Sequence, residues 1–477
     1  MNRRSFIAST VGGVALANRL PARDETANST TAPVLQLAID ANRQLGEIPA
    51  DFIGLGYEIS SVAAGVLSAK NHHYVNLVRR LGAHGVIRIG GNTADDASFA
   101  AAGRAVSAPK GTVVNAANLD ELGTFLEVTD WRLIWALNLG SGNEEQAAAE
   151  AKAVAAVAKK NLLAFEIGNE PDLFGRGTSH RPKNYAYEDY LREYRAYKTA
   201  IRRAVPDAPF AGPDAAVATD WVTRFAADEG RDLKLLTHHY YRECASAKSS
   251  LDRLLHPDPK LRPQLKQLKA ASAASRLPYR LCEVNSLCGG GKPGVSDTFG
   301  AALWALDYMF AVARGGGTGV NIETGVNQLG WTSWYSPIAD GENAPYAVKP
   351  DYYGMLAFAQ ASDGQQLELN YDPGAMNVTA YAVVHLDKRV SVVIVNKDAS
   401  PEVTAKLSCS RRAKQGSVLR LTGPSLESKS GVMLGGAEVT RDGEWKPLNR
   451  ERVDSSTDGT WMIRVPCASA AIVTLEI

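Results

Sequence analysis

The chain has 477 residues, 45% of them hydrophobic and 22% charged, the balance of a globular protein and not of a disordered or fibrous one. At about 150 residues per average domain, this length excludes a small disulfide-stapled module and calls for two to three domains or one large barrel with an appendage. Lys and Arg number 52 against 51 Asp and Glu, a formal net charge of +1, so no global field draws in nucleic acid or anionic membrane, and any polyanion must be held by a local patch.

In chain order, Arg3-Arg4 followed by Ser5-Phe6-Ile7 and a short apolar run to Ala17 has the charged start and brief hydrophobic stretch of an export signal. The paired arginines point to the twin-arginine route, and thus to a periplasmic or secreted protein. A cut after Ala15-Leu16-Ala17 leaves a polar leader to about Ala32, so residues 1–32 are set apart from the fold. Residues 33–48 hold a strand-like run, Val34 to Ile39, expected to pair into a β-sheet formed by the far end of the chain. No later apolar run reaches the roughly 20 residues needed to span a bilayer.

Residues 49–345 alternate short β-branched runs with helical patterns, which is the mark of repeated βα units. Eight runs read as strands: Phe52 to Ile59, Gly85 to Gly91, Arg132 to Leu139, Phe165 to Glu170, Phe210 to Ala215, Leu235 to Tyr241, Tyr279 to Asn285 and Gly319 to Gly325. Between them, Glu144 to Lys160 is rich in strong helix formers. In Tyr187 to Ala204 the residues Tyr187, Tyr190, Leu191, Tyr194, Tyr197 and Ile201 recur at helical spacing. This pattern predicts an α/β fold, a (β/α)8 TIM barrel with its site at the C-terminal strand ends. Residues 346–477 turn to period-2 alternation, as in Val378 to Val384 and Val390 to Val395, and read as a β-sandwich domain that takes in the N-terminal strand. Cys244, Cys282, Cys288, Cys409 and Cys467 are an odd set without CxxC spacing. The set leaves room for one bridge, with Cys409 and Cys467 the favoured pair because both lie in the strand-rich C-terminal region.

The chemistry concentrates at two strand ends. Strand four closes in Gly168-Asn169-Glu170-Pro171 and strand seven in Cys282-Glu283-Val284-Asn285, so both glutamates face one pocket. Retaining glycoside hydrolysis needs such a pair, a protonated carboxyl (Glu170) for the leaving oxygen and an ionised one (Glu283) to attack the anomeric carbon, about 5 to 5.5 Å apart. Asn169 is placed to donate to the sugar 2-OH, and Tyr241, at the end of the sixth run, to reach the Glu283 carboxylate. His72-His73 and the other histidines lack metal-ligand spacing, and no phosphate-binding or dinucleotide fingerprint occurs. Neither a metal nor a cofactor is expected.

These motifs, with Val86-Ile87-Arg88-Ile89-Gly90-Gly91-Asn92-Thr93, His239-Tyr240-Tyr241 and Glu283-Val284-Asn285-Ser286-Leu287-Cys288-Gly289-Gly290-Gly291, resemble the heparanase and β-glucuronidase family of glycoside hydrolases over nearly the whole chain after the leader. The resemblance implies that Gly289 and Gly290 offer N–H groups to a uronic acid carboxylate, joined by the hydroxyl of Tyr335, and that Glu58 and Asn92 bind sugar hydroxyls. It departs at Cys288, where relatives often carry tyrosine. It further implies a monomer acting on a glucuronic-acid-containing, sulfated polysaccharide such as heparan sulfate, endo-acting by preference. An exo-acting glucuronidase and a non-catalytic carbohydrate-binding protein are the alternatives. Arg104, Lys110, Arg176, Arg181, Lys183 and Lys292 fall in loops after strands two, four and seven, with Arg176, Arg181 and Lys292 expected to meet sulfates.

Overall fold

The computed structural model describes residues 32–100, 111–176, 180–325, 333–341 and 344–477. The export signal, nearly all of the leader, Arg104 and Lys110 lie outside the described residues.

Eight parallel strands close into a barrel: Gly54–Glu58, Val86–Gly90, Arg132–Leu137, Leu162–Ile167, Phe210–Ala215, Leu233–Cys244, Tyr279–Cys288 and Val320–Glu323. Closure joins the eighth strand to the first, Ile322 opposite Leu55 and Glu323 opposite Gly56. A Cβ at Gly56 would stand 2.5 Å from the Glu323 Oε2, so a larger residue there would displace that carboxylate. The strands are buried on both faces, which is why they read as short apolar runs without alternation. Around them, Glu144–Ala158 is capped by the Asn143 side chain accepting from the Gln146 N–H, with Glu144 and Glu145 in its first turn. Tyr187–Ala204 turns Tyr187, Tyr190, Tyr194, Tyr197 and Ile201 onto the barrel.

The N-terminal strand Val34–Ile48 joins the C-terminal sheet, antiparallel to Gly364–Asn370 and parallel to Val403–Cys409. That ten-stranded sheet folds over an apolar interior that includes Leu35, Leu37, Leu407, Trp461 and Val473. Its strands Arg389–Asn396 and Ser469–Glu476 are buried on both sides. Val392, Ile394, Val473 and Leu475 face the sandwich interior, while Val393, Val395, Ala470 and Ile472 continue the core around the barrel.

Two expectations are corrected. The stretch after Pro350, read as the start of the sandwich, is a helix, Pro350–Ala359, with Pro350 in its first turn and Met355, Leu356 and Phe358 buried in the barrel core. An unbroken apolar run is compatible with either element, and here packing against the helix Phe299–Arg314 decides it. The disulfide is Cys244–Cys288, while Cys409 and Cys467 are free thiols. Strands six and seven run past the barrel rim in register, with Leu287 opposite Glu243 and Cys288 opposite Cys244, which brings the two Cα atoms to 4.4 Å. A shared domain is not sufficient for a bridge, since the two Cβ vectors must meet.

Candidate active site

Strand four ends at Ile167, three residues before Glu170, and the chain then turns sharply, Glu170 itself standing at φ 51°. The Glu170 N–H donates to the Asp214 carbonyl at 3.1 Å, which fastens this turn to the end of strand five. Glu283 lies within strand seven. One carboxylate oxygen of Glu170 and one of Glu283 are within 4.8 Å of each other, with His239 in the same group.

Beneath the pair sits Arg88 of strand two, wholly buried. Its guanidinium donates to Glu283 Oε2 (2.8 Å), Asn169 Oδ1 (2.8 Å), Asp214 Oδ2 (2.5 Å) and Glu166 Oε2 (3.2 Å). Tyr241 donates to the other oxygen of Glu283 at 3.0 Å. His239 bridges Glu170 Oε1 (2.9 Å, from Nδ1) and Asp214 Oδ1 (2.7 Å, from Nε2). Both ring nitrogens face carboxylates, which suits the doubly protonated imidazolium. Burial opposes that charge, yet Asp214, Glu283 and Glu170 outweigh burial and lift the His239 pKa well above its usual value. For Asp214 burial likewise pushes upward, but Arg88 and His239 prevail and hold it below the usual carboxylate range. Glu170 is raised, chiefly by burial, partly opposed by the His239 hydrogen bond and reinforced by the nearby Glu283 charge. Burial and then Asp214 push Glu166 up to about 7. The site thus separates its carboxyls into proton holders and charge partners.

The residues expected to bind sugar are held as follows. Glu58, at the end of strand one, accepts from the N–H groups of Asn92 and Thr93 and from the Thr93 hydroxyl, and burial lifts its pKa to about 7. The Asn169 amide nitrogen points to Asn92 Oδ1 at 3.5 Å. Gly289, Gly290 and Gly291 all have positive φ, from 78° to 82°, a run that side chains other than glycine rarely adopt. The Gly290 carbonyl accepts from the Trp334 N–H at 2.7 Å, so the glycine turn lies against the segment carrying Tyr335. The Tyr335 hydroxyl is kept protonated by burial and by the charges of Glu323 and Glu283.

The basic residues divide differently. Arg176 and Lys183 are exposed. Arg181 is instead engaged in the fold, pairing with Glu193 and donating to the carbonyls of Leu139, Gly140 and His180. The Lys292 ammonium donates to the carbonyls of Ser246 and Ser249. These two are corrections to the expected sulfate contacts, because each head group is already taken by oxygens of the protein.

Sequence reasoning assigned no role to Arg88, Glu166, Asp214, His239 or Glu323. Charged residues inside otherwise apolar strands were the available signal, as in Val86-Ile87-Arg88-Ile89. Among the described residues, two groups have metal-ligand spacing, Glu170-His239-Glu283 and Glu166-Asp214-Cys282. In both, the carboxylates are tied to Arg88 or His239 by hydrogen bonds, which makes them part of a proton and charge network.

A barrel that opposes two glutamates across the ends of strands four and seven, one partly exposed and raised in pKa, the other buried and bound by an arginine and a tyrosine, has the arrangement of a glycoside hydrolase. Residues 380–472 match the glycosyl hydrolase family 79 C-terminal beta domain. A β-glucuronidase of Neurospora crassa is 27% identical over 378 residues, 69% of this chain and 66% of that protein, just under two thirds of its length. A β-glucuronidase of Aspergillus niger is 24% identical over 463 residues, 84% and 85% of the two chains. Among solved structures, a 4-O-α-L-rhamnosyl-β-D-glucuronidase of Fusarium oxysporum 12S superposes with a TM-score of 0.76 at 19% identity, covering 92% of this chain and 100% of that one. An α-L-arabinofuranosidase of Thermotoga maritima does so at 0.69 and 14% identity, covering 93% and 100%; both share the fold. Through its C-terminal β domain the chain is thus similar to the family 79 glycoside hydrolases.

Proposed function

We propose that the protein hydrolyses β-D-glucuronosyl linkages with retention of configuration, Glu283 acting as nucleophile and Glu170 as acid/base. The observation that carries the retaining reading is the spacing of the carboxylates, with oxygens within 4.8 Å. That suits direct attack on the anomeric carbon and leaves no room for the intervening water of an inverting enzyme, whose carboxyls stand about 6.5 to 9.5 Å apart. In the first step Glu170 gives its proton to the leaving oxygen while Glu283 forms the glycosyl ester. In the second, Glu170 takes a proton from water, which releases the sugar and restores Glu283. Arg88 orients the amide of Asn169 by donating to its oxygen, leaving the NH2 group to serve the sugar 2-OH. Preference for glucuronic acid is supported by the activity of the two fungal relatives and by the glycine turn beside the Tyr335 segment.

A finer reading is internal cleavage of heparan sulfate or a related glycosaminoglycan, with trimming of terminal glucuronic acid as the alternative. Of its three expected sulfate contacts, Arg176 alone is exposed. Export by the twin-arginine route completes the proposal, and the Cys244–Cys288 disulfide supports it, since such bonds persist outside the reducing cytoplasm.

The test compares an aryl β-glucuronide with the matching glucoside. The glucuronide is expected to be preferred at least about a hundredfold in kcat/KM, because polar groups left unpaired by the glucoside penalise it. Tyr335→Phe should shrink that ratio by slowing the glucuronide alone. Comparable rates on the two sugars would refute the uronic acid reading, and an α-anomer as first product, seen by proton NMR, would refute retention.

A further inference from the structure

The turn Gly289–Gly291 is bounded on both sides by fastenings to the chain that follows strand six. Immediately before it, Cys288 is bonded to Cys244, and the Cys288 carbonyl accepts from the Ala245 N–H at 3.2 Å. Immediately after it, the Lys292 ammonium donates to Ser246 O (2.9 Å) and Ser249 O (2.7 Å). The receiving loop is itself closed, since the Ser249 N–H donates to Ser246 O and the Ser246 N–H to Ser249 Oγ, each at 3.2 Å. A third tie holds the far end, where the Lys292 N–H donates to Ser296 Oγ at 3.0 Å and the Ser286 hydroxyl donates to the same oxygen at 2.9 Å.

Three consecutive glycines have more conformational freedom to lose on ordering than any other tripeptide. Left untied, such a turn would have to be ordered by the ligand at every binding event. Here both flanking residues are anchored to the chain following Tyr241, the hydroxyl donor to Glu283. The turn between them packs on Ser296 and Tyr335, the nearest side chains to a Cβ built at Gly291.

We propose that Cys244, Cys288 and Lys292 are positioning residues that hold the glycine turn in its ligand-binding shape, so that its N–H groups meet the carboxylate of the sugar without reordering. The proposal rests on the glucuronide reading above. It gives Lys292 a task independent of sulfate, that of a three-donor ammonium closing the loop 246–249 onto the turn.

The test uses the full-length protein with unsulfated 4-nitrophenyl β-D-glucuronide and β-D-glucoside, and compares the wild type with Cys244→Ala/Cys288→Ala, Lys292→Met and Lys292→Arg. The double cysteine variant and Lys292→Met should each raise KM for the glucuronide about tenfold, with kcat within about twofold and kcat/KM for the glucoside unchanged, as expected when preorganisation of one contact is lost. Lys292→Arg should restore most of the loss. Amide hydrogen exchange over residues 289–292 should quicken in the double variant and in Lys292→Met. Unchanged exchange, or an equal loss on both sugars, would overturn the proposal. An unaltered glucuronide KM in Lys292→Met would overturn that lysine's part here. Failure of the glucuronide reading shows separately, in a wild-type enzyme that does not discriminate the two sugars, whereas hydrogen exchange still decides whether the fastenings hold the turn.

Discussion

Two regions of this chain bury strands on both faces, the catalytic end of the barrel and the strands Arg389–Asn396 and Ser469–Glu476 of the β domain, and they fill their interiors with opposite chemistry. The sandwich interior is apolar, built from Leu35, Val392, Ile394, Leu407, Trp461 and their neighbours. The barrel interior at the same depth holds Arg88, Glu166, Asp214, His239, Glu283 and Glu323. Removing such groups from water is costly, and replacing a buried ionic cluster by apolar residues is often neutral or stabilising. In the proposed mechanism that charge serves Glu170 and Glu283, whereas the sandwich gains stability from area alone.

The comparison can be broken at several points. Glu283→Gln keeps the shape of the side chain and removes the proposed nucleophile, so activity should fall by more than about a thousandfold, some 4 kcal/mol in transition-state terms. Thermal unfolding should change little, and full activity would take Glu283 out of the mechanism. Arg88→Met strands Glu166, Asp214 and Glu283 without their cation. Loss of about 3 to 5 kcal/mol in denaturant unfolding is expected, together with loss of kcat. Retention of wild-type stability would mean that the carboxyls simply protonate. In the other region, Leu407→Ala, fully buried in the sandwich, should cost about 2 to 5 kcal/mol through its cavity, while kcat and KM of the folded enzyme stay as they were. A change in kinetics would show that the β domain reaches the site.

The smallest effect sharpens the comparison by pH. Glu150 is buried in the barrel wall, accepting from the Trp135 indole at 2.8 Å, and burial raises its pKa from 4.5 to about 7. The folded state holds this proton more tightly than the unfolded chain does. Its contribution to stability is therefore fully present below about pH 4.5, declines as pH rises toward about 7, and is gone above that. Glu150→Gln, which can still accept from the indole, should flatten that decline in unfolding curves measured across the window. An identical slope in the two proteins would locate the pH dependence elsewhere.

Much of this architecture was legible because it follows from local pattern. Eight β-branched runs, the period-2 alternation of Val378 to Val384 and the strand at Val34 each express a periodicity that backbone geometry imposes on burial. The Asn-Glu-Pro turn and Glu283 were legible for a related reason, since a carboxylate at a barrel strand end faces the pocket. The limits of elements were less so, because strand four stops at Ile167 and the apolar stretch after Pro350 is a helix.

What the sequence by itself determined is the set of elements and the two glutamates, quantities fixed by residues close together along the chain. What only the tertiary structure decided is partnership. Arg88 acquires its role from Glu166, Asp214 and Glu283, carried by three other strands. Cys288 found Cys244 and not a cysteine of the β domain, because the register of strands six and seven sets them side by side. Arg181 and Lys292, cations open to solvent in any reading of the chain, were claimed by carbonyls and a carboxylate that folding delivered to them. The physical reason is common to all three. A hydrogen bond, an ion pair or a disulfide depends on distances of a few ångströms, and for residues far apart in sequence those distances exist only once the barrel has closed.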